Sequence, residues 1–188
     1  GVAWLKPSRD SPALTWIGHS TFLLQHGGLN FITDPHLTGR ASPLRFAGPR
    51  RFNPPALGFS DLPALDLALV SHSHYDHLDE TTVVRLAREH PQLTFVVPLG
   101  LKDWFARRRI SRVIELDLWQ DAETGGAKIT AVPVQHFSGR TPTDRNKTLW
   151  CGFVVELAGR KIFFAGDTGY SRDFRDIGAR FKAMDLSL

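Results

Sequence analysis

Ser71-His72-Ser73-His74-Tyr75-Asp76-His77-Leu78-Asp79 places four strong metal ligands within six residues of this 188-residue chain. The stretch follows a nearly continuous apolar run, Leu65–Val70, which predicts a buried strand. It precedes an apolar pattern at 80–90 that predicts a helix, with Asp79 as the capping residue. A strand or a helix would point the four ligands in different directions. On a strand-to-helix turn they can converge, because the backbone changes direction at each residue.

The four ligands suit two metal ions rather than one. His72 and His74 share a strand face through the period of two, whereas Asp76 and His77 come off the turn and address a neighbouring point. Burying three imidazoles and a carboxylate without a metal would leave several desolvated polar groups. The pattern therefore favours a binuclear site for metal-assisted chemistry over a set of structural histidines.

Two residues further along the chain complete the candidate site. His136 ends a predicted strand, where the following loop can bring a third imidazole to the first metal. Asp167 follows an apolar strand and lies between Gly166 and Thr168-Gly169, where glycine lets the backbone approach a ligand closely. A carboxylate in that position can bridge two metals. Taken alone, His136 could as well have no role in metal binding, and Asp167 would be interpreted as a turn aspartate. The histidine cluster at 72–77 favours the ligand role for both residues.

Composition narrows the class of protein. Apolar residues make up 42% and charged residues 22% of the chain, and no uncharged apolar run approaches the ~18 residues of a membrane span. A single cysteine, Cys151, excludes an intramolecular disulfide framework and a Cys-rich zinc module. The net charge of +4 permits nucleic acid, a lipid surface or an anionic substrate as partner. Neither arginine run, Arg50-Arg51 or 107–109, carries interleaved aromatics, so we predict no dedicated nucleic-acid module.

Hydrophobic patterning predicts an α/β protein in one domain spanning 1–188. A strand at 15–24 would pair with a strand at 29–33 across Gly27-Gly28. Residues 35–63 hold six of the twelve prolines and predict a long ordered loop or lid. Strands then alternate with helices, which predicts a mixed sheet covered by helices on one face. The further predicted strands are 94–97, 112–116, 128–134, 151–157 and 161–165, and the further helices are 101–108 and 174–181.

The H-x-H-x-D-H pattern at 72–77, the distant His136 and the post-strand Asp167 resemble the metallo-β-lactamase superfamily. Within it, the chain is most similar to the N-acyl-phosphatidylethanolamine-hydrolysing phospholipase D family. This closer likeness extends from about Ala13 to Leu186. The segments that carry it are Thr15–Thr21, Thr33–Pro35, Arg40–Pro43, Gly48–Phe52, Pro98–Leu101 with Trp104, Val113–Asp117, Asn146-Lys147 with Leu149-Trp150, and Phe163–Tyr170.

The resemblance implies an αββα sandwich with mixed sheets and outer helices, of which this chain supplies the first half and the start of the second. It also implies a first zinc held by three histidines, a second zinc held by Asp76 and His77, and Asp167 bridging both. Manganese and iron are alternatives, because the donor set accepts all three metals. The three histidines are His72, His74 and His136, and the catalytic candidates are Asp76, His77 and Asp167.

The family's second metal takes one further histidine from a later loop, and no histidine follows His136 here. We therefore expect a chain that is incomplete at its C-terminus, with a second site that lacks one ligand. Asp34 resembles the family's supporting aspartate, which orients metal ligands, and a turn aspartate before Pro35 is the alternative. His19, within the predicted first strand, is interpreted as a packed or surface imidazole, with a supporting role at the site as the alternative.

The resemblance further implies hydrolysis of an N-acyl-phosphatidylethanolamine-type phospholipid to phosphatidic acid and an N-acylethanolamine. Two bound metals lower the pKa of a shared water, which supplies hydroxide, and they neutralise phosphate oxygens. Arg50 and Arg51 are weaker candidates for contact with the anionic substrate. The alternatives are a lactone or amide hydrolase, a nucleic-acid phosphodiesterase of the same superfamily, and a catalytically silent metal-binding protein.

Two expectations concern the surroundings of the site. With one cysteine and no recognisable signal peptide, we predict a cytoplasmic location, with peripheral contact to a membrane. The tryptophans are expected mainly in the core, with some of them available to line an acyl groove. They are Trp4, Trp16, Trp104, Trp119 and Trp150.

Overall fold

The computed structural model describes residues 12–44 and 46–188, which form eleven strands and three helices. None of the helices in this described part is long and apolar enough to cross a membrane. The strands are β1 (Ala13–Gly18), β2 (Thr21–His26), β3 (Leu29–Thr33), β4 (Leu67–Leu69), β5 (Thr94–Pro98), β6 (Val113–Leu116), β7 (Asp121–Thr124), β8 (Ala127–Val132), β9 (Gly152–Leu157), β10 (Arg160–Phe164) and β11 (Leu186–Ser187). The helices are α1 (Glu80–Glu89), α2 (Lys102–Ala106) and α3 (Asp173–Phe181).

The first sheet contains β4, which leads directly into residues 71–79, the predicted metal-ligand stretch. Its order is β1-β2-β3-β4-β5-β6, antiparallel from β1 to β3 and parallel from β3 to β6. Every residue of β4 and β5 is buried, as expected for parallel strands covered on both faces. Because β3 and β4 are parallel neighbours, Asp34 and Ser71, which follow their carboxyl ends, lie at the same edge of the sheet.

The second sheet carries the loops with His136 and Asp167, the remaining predicted ligands. Its order is β11-β10-β9-β8-β7, antiparallel from β7 to β10, with β11 parallel to β10. Tight turns at Gly125-Gly126 and Ala158-Gly159 have positive φ at both residues, which matches the twist of antiparallel hairpins. An isolated bridge pairs Gln135 with Gly169, so the loops that carry His136 and Asp167 lie side by side.

Three apolar clusters separate four layers. Phe31 and Leu67 of the first sheet pack against Phe153 and Val155 of the second. The intervening Val154 points to the opposite face, as the alternation of a strand requires. Helices α1 and α2 cover the outer face of the first sheet, and α3 covers the outer face of the second. This arrangement confirms the predicted αββα sandwich of mixed sheets.

The structure corrects two elements of the sequence interpretation. The single strand expected at 15–24 is wrong: it is two antiparallel strands, β1 and β2, reversed at a turn. Gly18 and His19 have φ values of 134° and 52°, which place this turn in the left-handed region and put His19 at its tip rather than inside a strand. Strand β7 was not predicted, because it is a short polar edge strand with little apolar signal.

The proline-rich segment 35–63 connects β3 to β4. Its described residues contain an isolated bridge between Arg40 and Arg50 and one 3-10 turn, Phe59–Asp61. The segment packs beside β1, where the Ala56 amide donates to the Ile17 carbonyl at 2.8 Å. It therefore lies next to the turn that carries His19.

The tryptophans divide between core and surface. Trp104 is buried against α1 and the first sheet, and Trp119 and Trp150 are partly buried. The core prediction is wrong for Trp16, which is 58% exposed, because β1 is an edge strand and this residue faces outward. Trp4 lies outside the described residues.

Replacing Gly166 tests the packing that joins the two sheets at the ligand loops. Its φ is +62°, and a Cβ there would lie 2.6 Å from the Ser71 Cβ and 2.7 Å from its Oγ. We expect Gly166→Ala to lower the free energy of unfolding by about 3 kcal/mol, from the left-handed conformation (~1–2 kcal/mol) and overpacking (~1–3 kcal/mol). Gly126→Ala is the control, with φ +82° and nothing within 4 Å. Equal losses of stability in urea denaturation would contradict the close contact.

Candidate metal centre

Three imidazoles converge where the loop after β4 meets the loop after β8. His72 Nε2 lies 2.8 Å from His74 Nδ1, which lies 3.2 Å from His136 Nε2. One nitrogen from each ring falls within 4.8 Å of the other two. His72 is almost completely buried, whereas the other two rings are partly open. We call His72, His74 and His136 the first donor group.

A second donor group lies beside the first. His77 Nε2 is 3.3 Å from Asp167 Oδ2 and 3.7 Å from Asp76 Oδ2. The same Asp167 oxygen is 3.7 Å from His136 Nε2. Asp167 therefore stands between the two groups, in the position that a bridging carboxylate requires.

His19 also reaches the second donor group, although its sequence context suggested a strand residue. Its Nε2 atom is 3.0 Å from Asp76 Oδ2 and 3.3 Å from His77 Nε2. These three residues form a compact cluster of candidate ligand atoms within 4.8 Å of one another. The turn between β1 and β2, which the sequence interpretation missed, is what carries His19 there.

The spacing of the donors fits divalent cations. With metal–ligand distances of ~2.0–2.1 Å in a tetrahedral site, two ligand atoms of one ion lie ~3.3 Å apart. In the structure the separations run from 2.8 Å between His72 and His74 to 3.7 Å between His77 and Asp76. Imidazole and carboxylate together are donors that zinc, manganese and iron all accept.

Burial prepares the first donor group to bind a cation. Desolvation, reinforced by the neighbouring imidazoles, lowers the pKa of His72 to about 2. Desolvation also lowers the pKa values of His74 and His136 below the ordinary value for histidine. All three rings are therefore neutral at pH 7 and offer a lone pair to a metal, as binding requires.

The second donor group has the opposite electrostatic character. Burial by itself would lower the pKa of His77, but the carboxylates of Asp34 and Asp167 outweigh it and raise this pKa to about 10. The hydrogen bond from His77 in turn lowers the pKa of Asp167 to about 2. Burial works against ionisation of Asp76, yet the hydrogen bond with His19 and the charge of His77 hold its pKa below the usual range. A cation bound at this position would take the place of the proton on His77.

Asp34 fixes the orientation of two of these histidines. It is fully buried, and its Oδ2 accepts hydrogen bonds from His77 Nδ1 and from the Ser71 hydroxyl, both at 2.6 Å. Its Oδ1 accepts from the Ser71 amide at 2.7 Å. Ser71 Oγ lies 2.8 Å from His72 Nδ1 and accepts its proton. The Nε2 atoms of His72 and His77 are therefore left free to face a metal.

Arg140 also holds the predicted metal-ligand stretch, residues 71–79, in place. This arginine was not singled out from the sequence. Its guanidinium donates to the carbonyls of Ser73 at 2.8 Å and Leu78 at 2.7 Å. It also stacks over the Tyr75 ring at 4.0 Å, while the Tyr75 hydroxyl donates to the Arg140 carbonyl. Burial lowers the pKa of Arg140, although the group stays charged at neutral pH. No sequence pattern marks it, because its partners are backbone carbonyls more than sixty residues away.

A pocket of about 340 Å³ opens beside the second donor group. His19 and Asp76 line its inner end. The proline-rich segment 35–63 supplies most of the wall, and Trp16 of β1 supplies a further part. The lining residues are Trp16, Gly18, His19, His36, Ala41, Pro49, Arg50, Arg51, Phe52, Asn53 and Asp76.

The two arginines predicted to contact an anion are not equivalent. The Arg51 guanidinium donates to the carbonyls of His36 and Asn53, so it braces the wall of the pocket. Burial lowers its pKa. Arg50 is exposed, and within residues 12–44 and 46–188 its side chain has no hydrogen bond or ion pair. Arg50 is thus the guanidinium that remains free to bind a ligand.

The αββα sandwich, with histidines and aspartates gathered at the edge where its two sheets meet, defines the metallo-β-lactamase fold class. Residues 29–188 match the family model of the β-lactamase superfamily domain. The chain belongs to the metallo-β-lactamase superfamily, as the sequence predicted.

Two similar proteins are named as phospholipases. The N-acyl-phosphatidylethanolamine-hydrolyzing phospholipase D 1 of Caenorhabditis elegans is 42% identical over 183 residues, which cover 92% of this chain and 51% of that protein. The mitochondrial enzyme of the same name from Saccharomyces cerevisiae is 35% identical over 181 residues, covering 93% and 38%. The chain therefore spans about half the length, or less, of these curated relatives.

Solved structures share the architecture. Igni18, a metallo hydrolase from Ignicoccus hospitalis KIN4/I, superposes with a TM-score of 0.71 at 21% identity. The match covers 94% of this chain and 69% of the archaeal chain. At this identity the likeness establishes the fold alone.

Asp34→Asn tests whether the buried Asp34 carboxylate orients the candidate metal ligands. We expect metal affinity to fall by about 10–100-fold with the fold retained, because partners of ligating histidines have effects of that size. Chelator competition measures the affinity. The control is Asp66→Asn at the opposite end of the same strand pair, where Asp66 Oδ2 accepts from the Asn30 amide at 2.8 Å. An equal loss of affinity in both variants would show that Asp34 has no special role.

Proposed function

We propose that this protein is a metal-dependent phosphodiesterase that hydrolyses N-acyl-phosphatidylethanolamine-type phospholipids. The observation that carries the proposal is the pocket beside Asp76, which combines the free guanidinium of Arg50 with the aromatic rings of Trp16 and Phe52. A phospholipid offers an anionic phosphate and apolar chains, and this pocket has a group for each. The names of the worm and yeast relatives support the same substrate class.

The donor groups are proposed to hold two divalent cations, with zinc expected and manganese or iron as alternatives. His72, His74 and His136 would hold the first ion, while Asp76 and His77 would hold the second. Asp167 would contact both ions, because its Oδ2 lies 3.3 Å from His77 Nε2 and 3.7 Å from His136 Nε2. When bound, such ions supply a nucleophile from water at neutral pH and neutralise developing charge on phosphate.

The residues of the chain then position the reaction. Water adds to phosphorus, the bond from phosphorus to the oxygen of the N-acylethanolamine breaks, and that oxygen takes up a proton. Asp76 and Asp167 stay ionised at neutral pH, because the pKa of each carboxyl is lowered, and they accept hydrogen bonds from the water. Arg50 faces the pocket and is placed to bind a non-bridging phosphate oxygen.

A lipid substrate also requires contact with a membrane or micelle. Exposed apolar side chains lie on β1 and the proline-rich segment, the two elements that supply most of the lining of the pocket. Phe52 is 100% exposed and Phe46 is 81% exposed, and Trp16 and Leu44 accompany them. We propose that this face touches the lipid surface and that segment 35–63 acts as the lid of the pocket. We propose a cytoplasmic location for the protein, which the single cysteine supports.

His74→Ala is the first test. The purified protein, loaded with zinc, is offered N-acyl-phosphatidylethanolamine in mixed micelles, and mass spectrometry follows N-acylethanolamine and phosphatidic acid. We expect release to fall about 1,000-fold or more, because the metals contribute several kcal/mol of charge stabilisation. His90→Ala is the control, since His90 directly follows α1 and lies outside both donor groups. No release by the wild-type protein, when it holds two metals, would reject the lipid substrate and favour a lactone, amide or nucleic-acid substrate.

Arg50→Ala tests how the anion is bound. We expect kcat/KM for the phospholipid to fall about tenfold or more, since a hydrogen bond to a charged group is worth ~1.5–3 kcal/mol. The matched control is Arg88→Ala, an exposed arginine in the last turn of α1, at the end away from the ligand stretch. Steady-state kinetics at two salt concentrations measure the effect. An unchanged kcat/KM in Arg50→Ala would remove this residue from the substrate site.

A further inference from the structure

Phe137 places an aromatic ring directly against the first donor group. Its ring centroid lies 4.6 Å from that of His74 and 4.8 Å from that of His136. The Phe137 ring is itself 40% exposed, and the two imidazoles that it contacts are partly open. Phe137 therefore forms part of the solvent-facing border of the first donor group, outside the pocket that adjoins the second group.

The guanidinium of Arg145 lies over this ring. Its Cζ atom is 5.1 Å from the Phe137 centroid, within the ~6 Å range of a cation–π contact. Arg145 is exposed, and within residues 12–44 and 46–188 its side chain has no hydrogen bond and no ion pair. The adjacent Asp144 does not neutralise it, because Asp144 Oδ1 accepts from the amides of Arg140 and Thr141, both at 2.8 Å. The N–H donors of Arg145 therefore remain available to a ligand.

The loop between His136 and β9 holds the guanidinium and the ring side by side. The Asn146 amide donates to the Ser138 carbonyl at 2.9 Å, and the Ser138 amide donates to Asn146 Oδ1 at 3.2 Å. Asn146 has φ 57°, in the left-handed region where asparagine is enriched. Because Ser138 directly follows Phe137 and Asn146 directly follows Arg145, this pair of hydrogen bonds fixes the two side chains next to each other.

The charge of the proposed metal centre favours an anionic ligand. Two divalent cations carry more charge than the carboxylates of Asp76 and Asp167, which lie on the open side of the centre. A free guanidinium beside this centre adds to the positive potential, which attracts anions and repels cations. Guanidinium donors match the oxygens of phosphate in geometry, so phosphate is the anion that suits this arrangement. A neutral ester or lactone would gain little from the same charge.

We propose that Arg145 is a further phosphate-binding residue, which selects phosphodiesters over neutral esters. Arg145 binds a non-bridging phosphate oxygen from the side of the first donor group, whereas Arg50 reaches the phosphate from the pocket beside the second group. Phe137 is a positioning residue, because its ring holds the guanidinium close to the centre. The proposal rests on the phosphodiesterase proposed above and names a residue that determines its specificity.

The test measures binding of the phosphate group rather than turnover. The zinc-loaded protein is titrated by calorimetry with short-chain phosphatidic acid, kept below its micellar concentration, and with the matching uncharged diacylglycerol. We expect Arg145→Ala to weaken phosphatidic acid binding about tenfold at ~0.1 M salt and much less at ~1 M, because salt screens an exposed charge. Arg145→Lys should recover part of the affinity, since lysine keeps the charge but not the planar fork. Diacylglycerol binding should not change in either variant.

Phe137→Leu separates the ring from the guanidinium that it holds. We expect phosphatidic acid to bind about 2–5-fold more weakly, because leucine has no π face for the cation. No further loss is expected when Phe137→Leu is added to Arg145→Ala, since the two side chains act as one unit. Metal analysis checks that every variant holds the same amount of zinc. Equal losses from Phe137→Leu in the presence and absence of Arg145 would overturn the positioning role.

Arg107→Ala is the matched control, because Arg107 is an exposed arginine directly after α2, on the outer face of the first sheet. Equal effects of Arg145→Ala and Arg107→Ala would overturn the proposal. A wild-type protein that binds phosphatidic acid no better than diacylglycerol would overturn it as well. If phosphatidic acid binds through Arg145 but the wild-type protein releases no N-acylethanolamine, the phosphate site is supported and the proposed lipid reaction is rejected.

Discussion

The geometry of the candidate metal centre depends on one buried carboxylate, that of Asp34. It lies at the end of β3 and accepts hydrogen bonds from the backbone and hydroxyl of Ser71 at the end of β4, and from His77 in the ligand stretch. A carboxylate without exposure to water is costly unless its oxygens are satisfied, and these three donors satisfy it. The parallel pairing of β3 with β4 is thus coupled to the orientation of His72 and His77. If the Asp34 carboxylate were displaced, the ends of β3 and β4 and the rings of His72 and His77 would lose their alignment together.

The packing between the two sheets sets the separation of the donor groups. The amide of Cys151, the residue before β9, donates to the Ser71 carbonyl at 3.0 Å. The second sheet is therefore attached to the same serine that binds Asp34. Burial raises the pKa of the Cys151 thiol well above its ordinary value, which keeps the thiol neutral there. Gly166, in the loop after β10, approaches the same serine and places Asp167 between the two donor groups. His136 and Asp167 lie on bridged loops of the second sheet, whereas the other candidate ligands follow β4 of the first sheet.

The sequence revealed the parts of this arrangement that are encoded locally. The stretch 72–77 could be predicted as a ligand cluster, because all four candidate ligands lie within six residues at the junction of a strand and a turn. The β1–β2 turn could not, since a two-residue reversal at His19 and Ser20 interrupts a run that is otherwise patterned as a strand. Arg140 left no signal, because it binds backbone carbonyls distant in sequence. Arg50 and Arg51 are adjacent and identical in type, and only the carbonyls within reach of each guanidinium distinguish them.

The side chains of the two donor groups differ in their exposure to solvent. His72 and His77 are closed to solvent, whereas the side chains of Asp76 and Asp167 are 34% and 38% exposed. The open side of the centre is therefore the carboxylate side of the second group, and the pocket lined by Trp16 and Arg50 adjoins it there. Asp34 works from the closed side, where low water content strengthens its hydrogen bonds. The fold thereby separates two faces: the buried face fixes the orientation of the candidate ligands, and the open face, framed by the proline-rich segment, leaves Asp76 and Asp167 accessible.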